Sequence, residues 1–165
     1  MSAPPAWHLS STRDPGRVRI FIEVEAGSDL RHVYDEATFE LLSTRKMPRP
    51  YPFPYGFIVG TTNADGGAVD CFVLTERSIR TGTLVEGEPA GLLEQFEDGE
   101  VDHKVLAIIP GEDGPCHADL EAILSDFIAA LFRPYPMIRL EVGRILDAGE
   151  AAAFIAARRS DGTEG

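Results

Sequence analysis

The sequence predicts an α+β, mainly β domain: a small barrel of short strands with helices packed on its outside. Period-two alternation and short apolar runs, punctuated by glycine and proline, fill the first two-thirds of the chain. Helical spacing replaces them in the last third. The 165 residues fit one domain, which we predict over 1–165 with a loose arm at 1–16 and a frayed tail at 160–165.

Alternating residues predict the first strand at 17–25, where Val18, Ile20, Ile22 and Val24 share one face. A turn-forming segment, Asn-Ala-Asp-Gly-Gly at 63–67, predicts a hairpin between strands at 57–62 and 68–74. Further strand candidates lie at 39–42, 83–93, 104–109 and 138–142, and the apolar run at 105–109 indicates burial on both faces.

Two helices close the sequence. Apolar residues at i, i+3, i+4, i+7, i+8 and i+11 from Leu120 to Leu131 predict an amphipathic helix of about four turns. The pair Arg133-Pro134 ends it. Asp147 can cap a final helix that reaches about Arg159.

The charge balance excludes some classes of function. Lys and Arg number 15 against 27 Asp and Glu, which gives a net charge of −12 and argues against a general binder of nucleic acid or of anionic membranes. Without a membrane-length apolar run or a signal-peptide pattern, we expect a cytoplasmic protein. The two cysteines, Cys71 and Cys116, are then reduced and structural. An anionic substrate would need a source of positive charge.

Acidic residues stand at unusual places. Asp70 lies inside an apolar strand, where a carboxylate is costly to bury unless it is paired or binds a metal. Asp102 and Lys104 share a face at the start of another apolar strand. With Asp65 and Glu97 they could form an oxygen-rich Mg²⁺ site. An ordinary turn would explain Asp65 alone, but no turn explains Asp70. Phosphate-loop, dinucleotide-binding and nucleophile-elbow motifs are absent from the sequence.

Proline alternates with aromatic residues at 51–57, which gives a stiff segment that directs its tyrosines. A phenol can donate a hydrogen bond to an anionic oxygen. The same pattern also suits an aromatic edge of the core or an extended proline-rich stretch.

The order and spacing of these segments resemble soluble family I inorganic pyrophosphatases over about residues 17–144. The shared motifs are Ile22-Glu23-Val24, Tyr51-Pro52-x-x-Tyr55-Gly56-Phe57-Ile58, Gly60-Thr61, Asp65-Gly66-x-x-Val69-Asp70, 97–104 and Phe132-x-x-Tyr135. The resemblance implies a five-stranded barrel of the oligonucleotide/oligosaccharide-binding (OB) type with flanking helices. It also implies metal-dependent hydrolysis of pyrophosphate and a homo-oligomer, often a hexamer in bacteria.

The resemblance also assigns roles by position. The implied metal ligands are Asp65, Asp70, Glu97, Asp102 and Glu23, with Glu97 where the family usually has Asp. The implied phosphate-binding residues are Arg31, Arg45, Tyr55, Lys104 and Tyr135, with Tyr51 at the edge of the site. The implied catalytic residues are Asp70, Tyr55, Lys104 and Arg45. Mg²⁺ is the implied ion, with Mn²⁺ as a second candidate.

Three positions depart from the family pattern. Gly67 lacks the carboxylate that the family favours as general base toward the attacking water, Val33 replaces a glutamate, and Pro136 replaces a lysine that contacts phosphate. Because losing a general base typically costs about 10²–10⁴-fold in rate, we expect weak pyrophosphate hydrolysis, with Mn²⁺ favoured over Mg²⁺. Asp98 and Glu100 are candidates to replace the missing base.

Two other readings stay open. One is a non-catalytic or re-purposed homologue that binds or hydrolyses another diphosphate-containing ligand. The other is a structural or assembly role in which the acidic positions are only inherited.

Overall fold

The computed structural model describes residues 16–115 and 117–159. The strands are β1 (Val18–Val24), β2 (Leu30–Tyr34), β3 (Leu41–Lys46), β4 (Tyr55–Ile58), β5 (Asp70–Val73), β6 (Leu84–Glu97), β7 (Glu100–Val101), β8 (Lys104–Ile108) and β9 (Leu140–Leu146). The helices are α1 (His117–Phe132) and α2 (Ala148–Arg158).

Five of these strands close into a barrel. β1 pairs with β4, β4 with β5, β5 in parallel with β8, β8 with β6, and β6 returns to β1. β7 and β9 extend the sheet from the long strand β6, while β2 and β3 form a separate hairpin. The barrel and its flanking helices confirm the predicted fold class.

The apolar residues of the strands divide between two clusters. All five barrel strands contribute to the first cluster, which Ala151, Phe154 and Ile155 of α2 join. Side chains on the opposite faces of β5 and β8, such as Phe72 and Leu106, form the second cluster with α1. Every residue of β8 is buried, as its apolar run predicted.

Both predicted helices are confirmed. The α1 helix ends at Phe132, just before Arg133-Pro134. The carboxylate of Asp147 accepts a hydrogen bond of 2.9 Å from the Glu150 amide and caps α2. At β9 the structure corrects the predicted bounds, because the strand runs to Leu146 along β6.

The β2–β3 hairpin differs most from the prediction. No strand was expected at β2, and β3 begins at Leu41, not at Phe39. All residues of β3 are exposed, so this strand carries no apolar alternation that the sequence could show. Phe39 instead has a φ of 63°, in the left-handed region that non-glycine residues rarely adopt.

Aromatic packing attaches this hairpin to the barrel. The ring of Phe39 stacks on Phe21 of β1 at 4.7 Å between centroids, and Tyr34 meets the same ring edge-on at 4.8 Å. Phe57 of β4 and Ala68 complete the cluster. This packing accounts for the unusual backbone at Phe39 and holds the hairpin loop against the β4–β5 turn.

Some predictions fall on residues outside those described, namely the arm at 1–15, the tail at 160–165 and Cys116. Cys71 is a buried free thiol within the first cluster. Within the described part of the chain, neither helix has the length and apolar character needed to cross a membrane.

We expect Gly56→Ala to lower the free energy of unfolding by about 3 kcal/mol, because overpacking forces neighbouring backbone to shift. A Cβ atom at Gly56 would lie 1.8 Å from the Phe21 carbonyl oxygen, inside the β1–β4 pairing. Urea unfolding measures the change. Gly114→Ala is the control, since its Cβ would make an ordinary 3.5 Å contact with Ile108. Equal stability of the two variants would contradict this account of the barrel.

Candidate active site

A pocket of about 280 Å³ lies between the barrel and α1. Its two walls differ in chemistry. The barrel and the segments around it supply the polar wall, which consists of Arg31, Tyr51, Tyr55, Asp65, Asp70, Gln95, Glu97, Asp102 and Lys104. The apolar wall consists of Phe72 and four residues of α1, Phe127, Ile128, Leu131 and Phe132.

A buried ammonium lies at the centre of the polar wall. Lys104 Nζ donates to Asp70 Oδ2 at 2.7 Å and to Asp102 Oδ2 at 3.0 Å. Burial acts to lower the pKa of Lys104, but Asp70, together with Tyr55 and Asp102, outweighs it and raises that pKa well above its usual range. The lysine therefore stays charged and compensates the carboxylate inside strand β5.

Gln95 connects the next two carboxylates. Its Nε2 donates to Glu97 Oε2 at 2.9 Å and, less closely, to Asp102 Oδ2 at 3.5 Å. Burial, followed by the neighbouring Asp102, raises the pKa of Glu97 to about 7. The carboxylates here thus carry more negative charge than Lys104 alone offsets, which is an environment that favours a bound cation.

Unpaired donors stand on the same polar wall. Arg31 Nε and the Tyr51 hydroxyl are buried without a hydrogen-bond partner among the described residues. The Arg31 guanidinium lies 5.5 Å from the centre of the Tyr55 ring. Burial holds the pKa of Tyr55 well above its usual value, so its phenol remains a neutral donor. Since leaving donors unsatisfied is costly, these groups indicate a site for an anionic ligand.

Glu23 and Asp65 flank this centre. Glu23 is buried and lies 3.8 Å from the Arg31 guanidinium, and burial raises its pKa to about 7 although Arg31 acts against it. It is not among the residues that line the pocket. Asp65 lines the pocket from the exposed turn, where its Oδ1 accepts a hydrogen bond of 2.9 Å from the Gly67 amide.

Two predicted phosphate-binding residues lie outside the pocket lining. Arg45 is exposed on β3, directly opposite Arg31 of β2, so both side chains lie on one face of the hairpin. Tyr135 follows α1 and is 42% exposed. Of the departing positions, Val33 is half-buried in β2 and Pro136 is exposed.

Three features of the site escaped the sequence reasoning. The apolar wall comes mostly from residues that the spacing placed on the apolar face of an amphipathic helix, and Phe132 was noted only within a family motif. Gln95 is buried in β6, but it lies beyond the strand predicted at 83–93 and lacks the apolar sequence neighbours that singled out Asp70. Glu36 carries no such signal, yet its Oε1 accepts a hydrogen bond of 2.9 Å from the Ala68 amide, 32 residues away. Glu36 is exposed, but local desolvation of its carboxylate raises its pKa, with further contributions from Asp70 and Asp65.

The two suggested replacements for the missing base lie on the side of Glu97 and Asp102, in a neighbouring cleft that also includes Asp65. Asp98 Oδ1 accepts a hydrogen bond of 2.9 Å from the Arg139 amide. Glu100 is exposed on the short strand β7.

Comparison with known proteins identifies the family. The family model for inorganic pyrophosphatase matches residues 20–159. The inorganic pyrophosphatase of Nostoc sp. is 31% identical over 140 residues, which cover 80% of this chain and 82% of the relative. That of Halalkalibacterium halodurans is 31% identical over 153 residues, which cover 86% and 93%.

Solved structures agree with this result. A crystal structure of an inorganic phosphatase from Anaplasma phagocytophilum superposes with a TM-score of 0.76 at 28% identity, covering 90% of this chain and 95% of the other. The inorganic pyrophosphatase from Thermus thermophilus shares the fold, with a TM-score of 0.75 at 24% identity over 93% and 95% of the two chains. The chain therefore belongs to the inorganic pyrophosphatase family of hydrolases, as its motifs predicted.

Proposed function

We propose that the protein hydrolyses inorganic pyrophosphate to two phosphates in a metal-dependent reaction. The observation that carries this proposal is the polar wall of the pocket. There Lys104 lies between two carboxylates, and two buried donors, Arg31 Nε and the Tyr51 hydroxyl, have no partner among the described residues. Carboxylates for cations beside unpaired donors for anions suit a substrate that arrives as a metal–diphosphate complex.

The acidic residues of the pocket fit Mg²⁺ or Mn²⁺ as the metal cofactor. Asp65, Asp70, Glu97 and Asp102 all line the pocket. The described residues hold no group of three acidic, histidine or cysteine side chains already arranged around an ion. Mg²⁺ usually takes only one or two protein carboxylates and completes its octahedron with water and phosphate oxygens. A bound divalent ion would neutralise phosphate charge and acidify the attacking water.

The residues of the chain then have separate tasks. Arg31 and Lys104 hold the phosphate oxygens and stabilise the negative charge that builds up as the bridging bond breaks. Tyr55 donates a hydrogen bond from a phenol that burial keeps neutral. Asp70 and Asp102 keep Lys104 charged and fixed in place. Arg45 lies beside Arg31 on the hairpin and would add a third cation at the pocket edge.

The apolar wall favours a second candidate. Four α1 side chains, Phe127, Ile128, Leu131 and Phe132, border the pocket, whereas pyrophosphate is wholly polar. An organic diphosphate could place its organic group against them, with its phosphates on the polar wall. On this reading the protein is a re-purposed homologue that binds or hydrolyses such a ligand.

Other expectations from the resemblance remain predictions. They are the phosphate-binding role of Tyr135, the metal-binding role of Glu23, the homo-oligomer, and the cytoplasmic location.

Phosphate release from pyrophosphate should require a divalent cation and stop when a chelator removes it. We expect Mn²⁺ to support a higher rate than Mg²⁺, because Mn²⁺ binds such ligands more tightly. Colorimetric phosphate release measures both rates, and Asp70→Asn should lose activity with either ion. Hydrolysis that persists in excess chelator would contradict the metal dependence.

Lys104→Met should lower kcat/KM for pyrophosphate by about 10²–10³-fold, because it removes a preorganised charge from the phosphate site. Steady-state kinetics measure the loss. The control is Lys46→Met on β3, whose ammonium is largely exposed in a surface ion pair of 3.0 Å with Asp29. The role assigned to Lys104 would be wrong if both variants kept the wild-type rate.

Substrate preference separates the two candidate functions. We expect pyrophosphate to have a higher kcat/KM than nucleoside diphosphates or prenyl diphosphates, and Phe127→Ala to change its hydrolysis little apart from any loss of stability. A phosphate-release screen over these compounds is the measurement. A clear preference for an organic diphosphate, lost in Phe127→Ala, would favour the second candidate.

A further inference from the structure

The carboxylate of Glu36 lies beside the turn that bears two of the acidic site residues. Glu36 Oε1 accepts a hydrogen bond of 2.9 Å from the Ala68 amide, which lies between Asp65 and Asp70 in sequence. One carboxylate oxygen is thereby fixed.

Glu36 Oε2 lies near the place that a side chain at position 67 would occupy, although neither Glu36 nor Gly67 is among the residues that line the pocket. A Cβ atom at Gly67 would lie 3.9 Å from Glu36 Oε2 and 3.5 Å from Asp65 Oδ1. A carboxylate from the β2–β3 loop therefore reaches the neighbourhood that an aspartate at position 67 would occupy. Desolvation is the main cause of the raised pKa of Glu36, and the charges of Asp70 and Asp65 add to it.

The loop that carries Glu36 is held in one conformation. Asp35 Oδ1 accepts hydrogen bonds of 2.9 Å from the amides of both Ala37 and Thr38. The Phe39 amide donates to the Asp35 carbonyl at 2.8 Å, and its ring stacks on Phe21 of the barrel. Glu36 is thus presented from a fixed turn, as a group that acts in catalysis must be.

We propose that Glu36 is the general base of this enzyme and takes the role of the carboxylate that Gly67 lacks. This assignment rests on the proposed pyrophosphate hydrolysis. As the oxygen of the attacking water bonds to one phosphorus, Glu36 Oε2 accepts a proton from that water. The bond from this phosphorus to the bridging oxygen breaks, and its electron pair leaves with the second phosphate. The exposed position of Glu36 then lets the proton return to solvent.

The Glu36→Gln variant separates a chemical role from a structural one. A glutamine Oε1 can still accept the Ala68 hydrogen bond, but the amide cannot take a proton from water. We expect kcat for pyrophosphate to fall by about 10²–10⁴-fold while KM changes by less than about threefold. Glu40→Gln is the matched control, because it removes the same charge from an exposed position of the same loop.

Restoring the carboxylate from the other loop should rescue the reaction. Gly67 lies outside the left-handed region, and its Cβ would make only ordinary contacts, so Gly67→Asp introduces no backbone strain. In the Glu36→Gln background, this second change should recover at least about tenfold of the lost kcat. In the wild-type background Gly67→Asp should raise kcat by a smaller factor, because two like-charged carboxylates would then lie close together.

A measurement without turnover completes the test. Calorimetric titration with Mn²⁺ alone should give Glu36→Gln a dissociation constant within about threefold of that of the wild type. A loss of Mn²⁺ binding larger than tenfold would overturn the assignment, because Glu36 would then support the ion. Thermal unfolding of each variant verifies that the fold is intact.

The possible failures can be told apart. If the wild type hydrolyses pyrophosphate and Glu36→Gln matches it, the base assignment is wrong and the proposed function stands. If wild type and all variants release no phosphate with Mg²⁺ or Mn²⁺, the proposed function fails and the assignment falls with it. A large loss in Glu36→Gln that Gly67→Asp does not reverse would also overturn the assignment, since the carboxylate itself would not be what matters.

Discussion

The ammonium of Lys104 lies buried between Asp70 and Asp102, and the arrangement of the site depends on it. The parallel strands β5 and β8 each begin with a charged residue, Asp70 and Lys104, so their pairing brings the two charges together. Removing either partner would leave an uncompensated charge in a low-dielectric place. The ion pair therefore allows carboxylates to stand at the mouth of an apolar barrel, where a metal and a diphosphate could reach them.

This arrangement also explains how a chain with a net charge of −12 can offer a site to an anion. Three positively charged side chains lie at or near the site. Arg31 and Lys104 line the pocket, and Arg45 lies opposite Arg31 on the hairpin. The excess of carboxylates near them favours a cation, and a bound cation would reverse the local sign. The overall acidity and the local preference for phosphate are thus compatible.

Local patterns were enough to predict much of the fold. The alternation in β1, the spacing of α1 and the cap at Asp147 each act within a few residues of sequence, and all three appear in the structure. The β2–β3 hairpin could not be predicted this way, because β3 is exposed, β2 is mostly half-buried, and the conformation depends on aromatic contacts with β1 and β4. The same distinction holds in the site. The apolar neighbours of Asp70 in sequence marked it as a candidate site residue, whereas no residue near Glu36 in sequence predicts its contact with Ala68.

The hydrogen bond between Glu36 and Ala68 joins the β2–β3 loop to the β4–β5 turn, so a change in one segment affects the other. A chimera that takes the β4–β5 turn from a relative with an aspartate at the position of Gly67 would bring a second carboxylate next to Glu36. A chimera that takes only the β2–β3 hairpin of a relative with no acidic residue at position 36 would leave the turn with neither. Each exchange alone changes the number of carboxylates beside the turn. The two segments should therefore be exchanged together, although 32 residues separate their contact points. Transfer of site residues between relatives position by position would overlook this unit, since the proposed base lies on a different strand connection from Gly67.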